Sequence, residues 1–211
     1  MTIHKLGHSC VIVTEGGVSF LFDPGKWVTQ DTIPKSISYI LVTHLHDDHY
    51  DPAFIRKILA ANPEAVIVTN NQVGEKLTKE DLPFVALEDG QIMDCAGVAL
   101  VAFGKDHHPI YPGIPQLVNT GYLIGEKFFH PGDAYTVPPK SVEILAVPFS
   151  APWGTIGASI NYAKKVAPKT FFPIHDGMLK FHGPYHSLPE KIFADSAINF
   201  IPLTTGQEFK I

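Results

Sequence analysis

The stretch Thr43-His44-Leu45-His46-Asp47-Asp48-His49-Tyr50-Asp51 decides how this chain is read. It places three histidines and three carboxylates within nine residues. It follows the apolar run Tyr39-Ile40-Leu41-Val42 and leads into Asp51-Pro52, a helix start with proline at the first helical position. The cluster therefore falls on a loop between a buried strand and a helix, where α/β sheets tend to form their ligand sites.

Within that loop the pattern is His44-x-His46-x-Asp48-His49. Imidazole nitrogens and carboxylate oxygens suit zinc, manganese or iron. Two residues apart on extended backbone, His44 and His46 point to one side. Asp48 and His49 follow on the turn and reach a neighbouring position. The loop can thus give two ligands to each of two adjacent metals. The bland alternative is an exposed polar loop, and four ligand-type residues behind a buried strand weigh against it.

The same order, strand then ligand, recurs three times. Phe103-Gly104-Lys105-Asp106-His107-His108 offers a histidine, with His107 and His108 both open as the ligand. His130-Pro131-Gly132-Asp133 offers an aspartate after a glycine that allows a sharp turn. Phe172-Pro173-Ile174-His175-Asp176 offers another histidine. Singly, His175 reads as structural and Asp133 as a turn residue; recurrence at strand ends is what points to a site.

The remaining chain reads as an α/β pattern. Strands are expected at 2–6, 10–14, 18–22, 39–42, 65–69, 84–87, 91–94, 97–104, 120–124, 127–130, 144–148, 170–174, 199–203 and 207–211. Glu15-Gly16-Gly17 and Gly125-Glu126 are hairpin turns. Apolar spacing gives helices from Asp51-Pro52 to about Ala61, near 71–77, over 156–166 and near 188–195. Residues 26–36 read as a loop. Two sheets packed face to face with helices outside, an α/β sandwich in one domain over 1–211, satisfy this order.

Composition narrows the function. The chain has 211 residues, 45% hydrophobic and 18% charged, which allows a substantial core. No apolar run reaches the ~18 residues of a membrane span, and Met1-Thr2-Ile3-His4-Lys5 does not read as a signal peptide; a cytoplasmic location is expected. A net charge of -5 without a Lys/Arg-rich block disfavours nucleic acid. The expected partner is a small-molecule substrate, with no membrane. Cys10 and Cys95 read as buried free thiols.

The ordered set of His44-x-His46-x-Asp48-His49, His107, Gly132-Asp133 and His175 resembles the metallo-β-lactamase-fold hydrolases along almost the whole chain. Gly7-His8-Ser9, Asn119-Thr120-Gly121, Ala151-Pro152-Trp153 and Pro173-Ile174-His175-Asp176-Gly177 are similar to a small branch that includes ascorbate-6-phosphate-lactonase-like proteins. The resemblance implies an αβ/βα four-layer sandwich of two mixed sheets. It implies His44, His46 and His107 on one metal, Asp48, His49 and His175 on a second, and Asp133 bridging them. Two divalent ions are expected, zinc first, with manganese or iron as alternatives.

Such a pair lowers the pKa of a bridging water toward ~7 and makes a hydroxide nucleophile for a small ester, lactone or phosphoester. Asp48 and Asp133 are the candidate catalytic carboxylates, Asp48 orienting the water or relaying a proton. A di-iron redox protein and an inactive metal-binding protein are the competing classes. Tyr111, Trp153, His182 and Tyr185 are candidates to line a pocket, although burial would explain Tyr111 and Trp153 and a solvated Gly/Pro loop His182. His8 and His130 are candidates to sit behind the ligands.

Overall fold

The computed structural model describes residues 1–28 and 32–211; part of the loop expected at 26–36 lies outside them. Side-chain alternation along the strands builds the architecture. In β3 (Val18–Phe22), Phe20 and Phe22 face one apolar cluster and Leu21 faces another. In β4 (Tyr39–Val42), Leu41 joins the first cluster while Ile40 and Val42 join the second. In β5 (Val66–Thr69), Val68 and Ile67 divide the same way. Strands with two buried faces need cover on both.

Two seven-stranded sheets provide the inner cover for each other. The first runs β14 (Glu208–Lys210), β1 (Thr2–Gly7), β2 (Cys10–Glu15), β3, β4, β5 and β6 (Val85–Ala86). The second runs β13 (Asn199–Phe200), β12 (Thr170–Ile174), β11 (Ile144–Pro148), β10 (Phe128–His130), β9 (Gly121–Ile124), β8 (Val98–Phe103) and β7 (Ile92–Cys95). Between them lie Phe20, Phe22, Leu41, Tyr122, Phe128 and Phe172. Outside the first sheet pack α1 (Pro52–Ala61) and α2 (Asn71–Lys79), through Ile55, Ile58, Val73 and Leu77. Outside the second pack α3 (Ile156–Val166) and α4 (Gly183–Phe193), through Ile160, Ala163 and Phe193. This is the expected sandwich.

Both sheets are mixed in the same way. β3, β4, β5 and β6 are parallel neighbours, as are β10, β11, β12 and β13, and the other pairings are antiparallel. Parallel strands end together, so each sheet presents several strand ends along one edge. Side chains cap the helices that follow: Asp51 accepts from the Ala53 amide, Asn70 from Val73 and Thr155 from Ala158.

Three expectations need correction. The last helix starts at Gly183, five residues before the expected 188, because Pro184 sits in its first turn, where proline is tolerated. That places His182 at a helix start rather than in a loop. The strand near 199–203 is only Asn199–Phe200, since Pro202 has no amide to donate to a ladder. Cys10 and Cys95 are buried free thiols. Among the described residues, no helix is long and apolar enough to cross a membrane.

Candidate metal centre

The centre forms where the ends of β4, β10 and β12 meet. The turn after β10 is set by Gly132, at φ 62°. A Cβ there would fall 2.3 Å from Asn119 Oδ1 and 2.8 Å from the Thr43 Cβ, so only glycine lets this turn press against the loop after β4. Asn119 holds the turn by accepting from the Asp133 amide at 2.9 Å and donating to Pro131 O at 2.8 Å. Gly25 is as tightly placed, with a Cβ 2.1 Å from the Asp48 carbonyl. Three non-glycine residues here, His8, Asp23 and His175, have φ between 44° and 55°. Left-handed backbone of this kind persists where surrounding contacts hold it, and it gathers at functional sites.

These turns converge on two groups of side chains. His44, His46, His107 and Asp133 bring one ligand atom each within 4.8 Å of one another, and so do His8, Asp48, His49 and His175. Asp133 reaches both groups. Its Oδ2 lies 2.9 Å from His175 Nε2, 3.4 Å from His107 Nε2 and 3.9 Å from His44 Nε2, while Oδ1 lies 3.1 Å from His49 Nε2. All seven residues assigned by the resemblance are together. His108 is turned away and stacks on Trp153 at 4.9 Å.

Hydrogen bonds behind the rings orient them. His49 Nδ1 donates to Asp23 Oδ2 at 2.7 Å, and His175 Nδ1 donates to Ser150 O. His107 Nδ1 donates to His108 O, and Thr43 Oγ1 meets His44 Nδ1 at 3.0 Å. Each of these bonds turns an Nε2 lone pair inward. His46 instead presents Nδ1, 3.0 Å from His44 Nε2.

The donor set fits divalent ions. His49 Nε2, His107 Nε2 and Asp133 Oδ1 are buried without a hydrogen-bond partner. His49 Nε2 and Asp133 Oδ1 are within ion-pair distance but out of hydrogen-bond alignment. Buried polar atoms left this way are costly unless something else completes them. His44 and His46 are pushed down in pKa, chiefly by burial, so they are neutral and able to ligate. Burial also acts against charge on His49 and His175, but nearby carboxylates outweigh it. Asp133 and Asp23 raise His49 well above its ordinary value, and Asp133 and Asp48 raise His175 to about 9. Burial would raise Asp48 and Asp133, yet the surrounding histidines hold both well below the usual carboxylate range.

Residues 2–175 match the beta-lactamase superfamily domain. The chain belongs to this superfamily. Protein Rv0786c of Mycobacterium tuberculosis is a relative 34% identical over 184 residues, covering 85% of each chain. A Natranaerobius thermophilus protein named as a UPF0173 metal-dependent hydrolase is 23% identical over 198 residues, covering 83% of each. The solved structure of Igni18, a metallo hydrolase from the archaeon Ignicoccus hospitalis, aligns with a TM-score of 0.76 at 16% identity. It covers 100% of this chain and 98% of that one, and at that identity the likeness is one of fold.

A cleft of about 230 Å³ opens over these side chains. His46, Asp48, Asp133 and His175 form its floor, and Trp27, Ile110, Pro152, Trp153 and Met178 form its walls. Trp153 is thus on the wall, and its Nε1 donates to Asp133 Oδ2 at 3.2 Å. Tyr111 is neither buried nor on the wall: it is 71% exposed, and its neighbour Ile110 faces the cleft. Tyr111 opens a turn, its carbonyl accepting from the Ile114 amide at 3.1 Å. His182 turns to Asp176, 3.7 Å away, because it begins α4. Tyr185 packs against the outer core of the second sheet. His130 lies behind the centre, stacked on Phe22, and accepts from the Gly132 amide.

Three participants were not singled out from the sequence. Asp23 orients His49 and accepts from the Thr43 amide and hydroxyl at 2.8 and 2.9 Å. The strand-end rule that flagged Asp133 would have found it, since Asp23 closes β3. Asn119 stood in a segment that carries the resemblance but with no role given to it, and Trp27 carried no such signal.

Proposed function

We propose that this protein is a metal-dependent hydrolase whose two divalent ions share Asp133. His44, His46 and His107 would hold one ion, and Asp48, His49 and His175 the other. The observation that carries the reading is the position of Asp133, with one oxygen toward His175, His107 and His44 and the other toward His49. The unpartnered nitrogens of His49 and His107 support it. Zinc is the first choice of ion, since imidazole and carboxylate ligands suit it.

When bound, the ions supply an activated water at neutral pH and a Lewis acid for the oxygen on which charge develops. The chain's own residues do the rest. Asp48 stands at the cleft floor, held by His8, and is placed to orient the attacking water. Trp153 steadies Asp133 through its indole N–H. A small ester, lactone or phosphoester is the substrate class, and the lack of a basic block favours small molecules over nucleic acid.

The test is metal analysis by mass spectrometry together with turnover of p-nitrophenyl esters, γ-lactones and bis-p-nitrophenyl phosphate. Two ions per chain and turnover are expected, with both lost in Asp133→Ala. Full activity and two ions in that variant would overturn the assignment. A visible iron band without hydrolysis would favour redox chemistry instead.

A further inference from the structure

The cleft walls narrow the substrate class, an inference that rests on the hydrolase reading above. Both tryptophans of the chain, Trp27 and Trp153, are on the walls, with Ile110, Pro152 and Met178. Trp27 is 41% exposed and Met178 43% exposed, so apolar surface beside the floor is left facing water. Exposed apolar surface grouped at a concave site marks a place for an apolar ligand.

The charges give the complementary half. None of the nine described residues lining the cleft is Lys or Arg. Lys26, next to Trp27 in sequence, is tied to Asp47 at 2.6 Å, and Lys105 lies 3.6 Å from Asp89. Two of the four floor residues are carboxylates, Asp48 and Asp133. Sites built for phosphate commonly add guanidinium, ammonium or helix N-terminal amide donors around the reacting centre. Among the described residues, the lining has no cationic side chain of that kind beyond its histidines. Its volume, about 230 Å³, is below the range for drug-sized ligands.

We propose that this cleft selects an uncharged carboxylic ester or lactone bearing a short apolar chain or ring, and discriminates against phosphoesters and phosphorylated lactones. The apolar group lies against Trp27, Ile110 and Met178, and the acyl carbon faces the floor. One water is consumed. Its oxygen bonds to the acyl carbon, the acyl C–O bond breaks, and the alkoxy oxygen leaves with a proton. An ester yields an acid and an alcohol; a lactone yields one hydroxy acid.

Zinc-loaded protein is assayed with p-nitrophenyl acetate through hexanoate, a γ-lactone series of increasing chain length, p-nitrophenyl phosphate and bis-p-nitrophenyl phosphate. We expect kcat/KM to rise up to roughly fourfold per added methylene until the cleft is full, with both phosphates at least about 100-fold slower than the best ester. Trp27→Ala and Met178→Ser should flatten the chain-length series; Met178, on the rim, is the variant least exposed to a folding defect.

Binding gives a second readout. Because both tryptophans are on the walls, their emission reports occupancy directly. Titration with γ-octalactone should change emission saturably, and Met178→Asp should weaken that binding at least about fivefold. Phosphoesters turned over faster than esters, or a flat series with no emission change, would overturn the proposal. Turnover of no class by the loaded protein, with lactone binding intact, would sink the hydrolase reading while leaving the cleft's preference standing.

Discussion

His8 Nε2 lies 2.9 Å from Asp48 Oδ2, and the other ring nitrogen, Nδ1, accepts from the Gly177 amide at 3.1 Å. The second bond settles the tautomer: Nδ1 carries the lone pair, so Nε2–H donates to Asp48. Burial also pushes the His8 pKa down to about 4, against the bond from Asp48, which keeps the ring neutral. His8 therefore positions the Asp48 carboxylate, a proposed ligand, and does not itself offer a lone pair to a metal, although it stands within reach of the Asp48, His49 and His175 group.

From this, His8→Ala is expected to weaken the ion held by Asp48, His49 and His175 by roughly 10- to 100-fold, the usual cost of losing a partner behind a ligand. The ion held by His44, His46 and His107 should stay. Chelator competition with zinc resolves the two sites; equal weakening of both would contradict this role.

His107 and His108 are adjacent but have separate surroundings. His107 is buried with its Nε2 toward Asp133, and His108 stacks on Trp153. His107→Ala should lose one ion per chain and His108→Ala none, measured by metal content after dialysis. The reverse result would exchange their roles.

Metal uptake should release protons. Asp133 and Asp48 outweigh burial and raise His175 to about 9, and His49 is raised as well. These pKa values are raised in the folded state. The stability that His175 gives the metal-free fold is therefore full below about 6.5 and lost as pH rises through about 9. A protonated ring cannot ligate, so zinc must displace its proton. At pH 7, calorimetry in buffers of different ionisation heat should show at least one proton released per chain. Apparent affinity should rise with pH through about 9, where His175 loses its proton. Buffer-independent heats would count against the ligand assignment.

Behind the end of β12, Lys5 Nζ donates to both oxygens of Asp176 at 2.8 and 2.7 Å and to Pro173 O at 2.8 Å, with both side chains buried. Lys5→Met would leave the Asp176 charge buried and unpaired, a loss of about 3–5 kcal/mol. For a chain of this size that is a drop of roughly 6–20 °C in Tm. Adding Asp176→Leu should restore part of it. A single variant melting like the wild type would show that water reaches Asp176.

The order of strands and helices, the sandwich and the set of ligand-type residues at strand ends were legible in the sequence. Alternation and the proline and glycine positions are local signals, and β3, β4 and β5 carry them plainly. His44, His46, Asp48 and His49 were legible for the same reason, since one loop holds all four. What only the tertiary structure decided was which distant residues share that edge. Asp23 reaches His49 because β3 pairs in parallel with β4. His8 meets Asp48 across 40 residues of chain, and Asp133 comes between the two groups only because Gly132 fits against Thr43 and Asn119. The walls were the least legible part: Trp27 and Ile110 line the cleft, whereas Tyr111 and His182 do not. Spacing along a strand records which face a residue takes. Which strand ends and loops meet is determined by how the two sheets pack, and no local pattern encodes that.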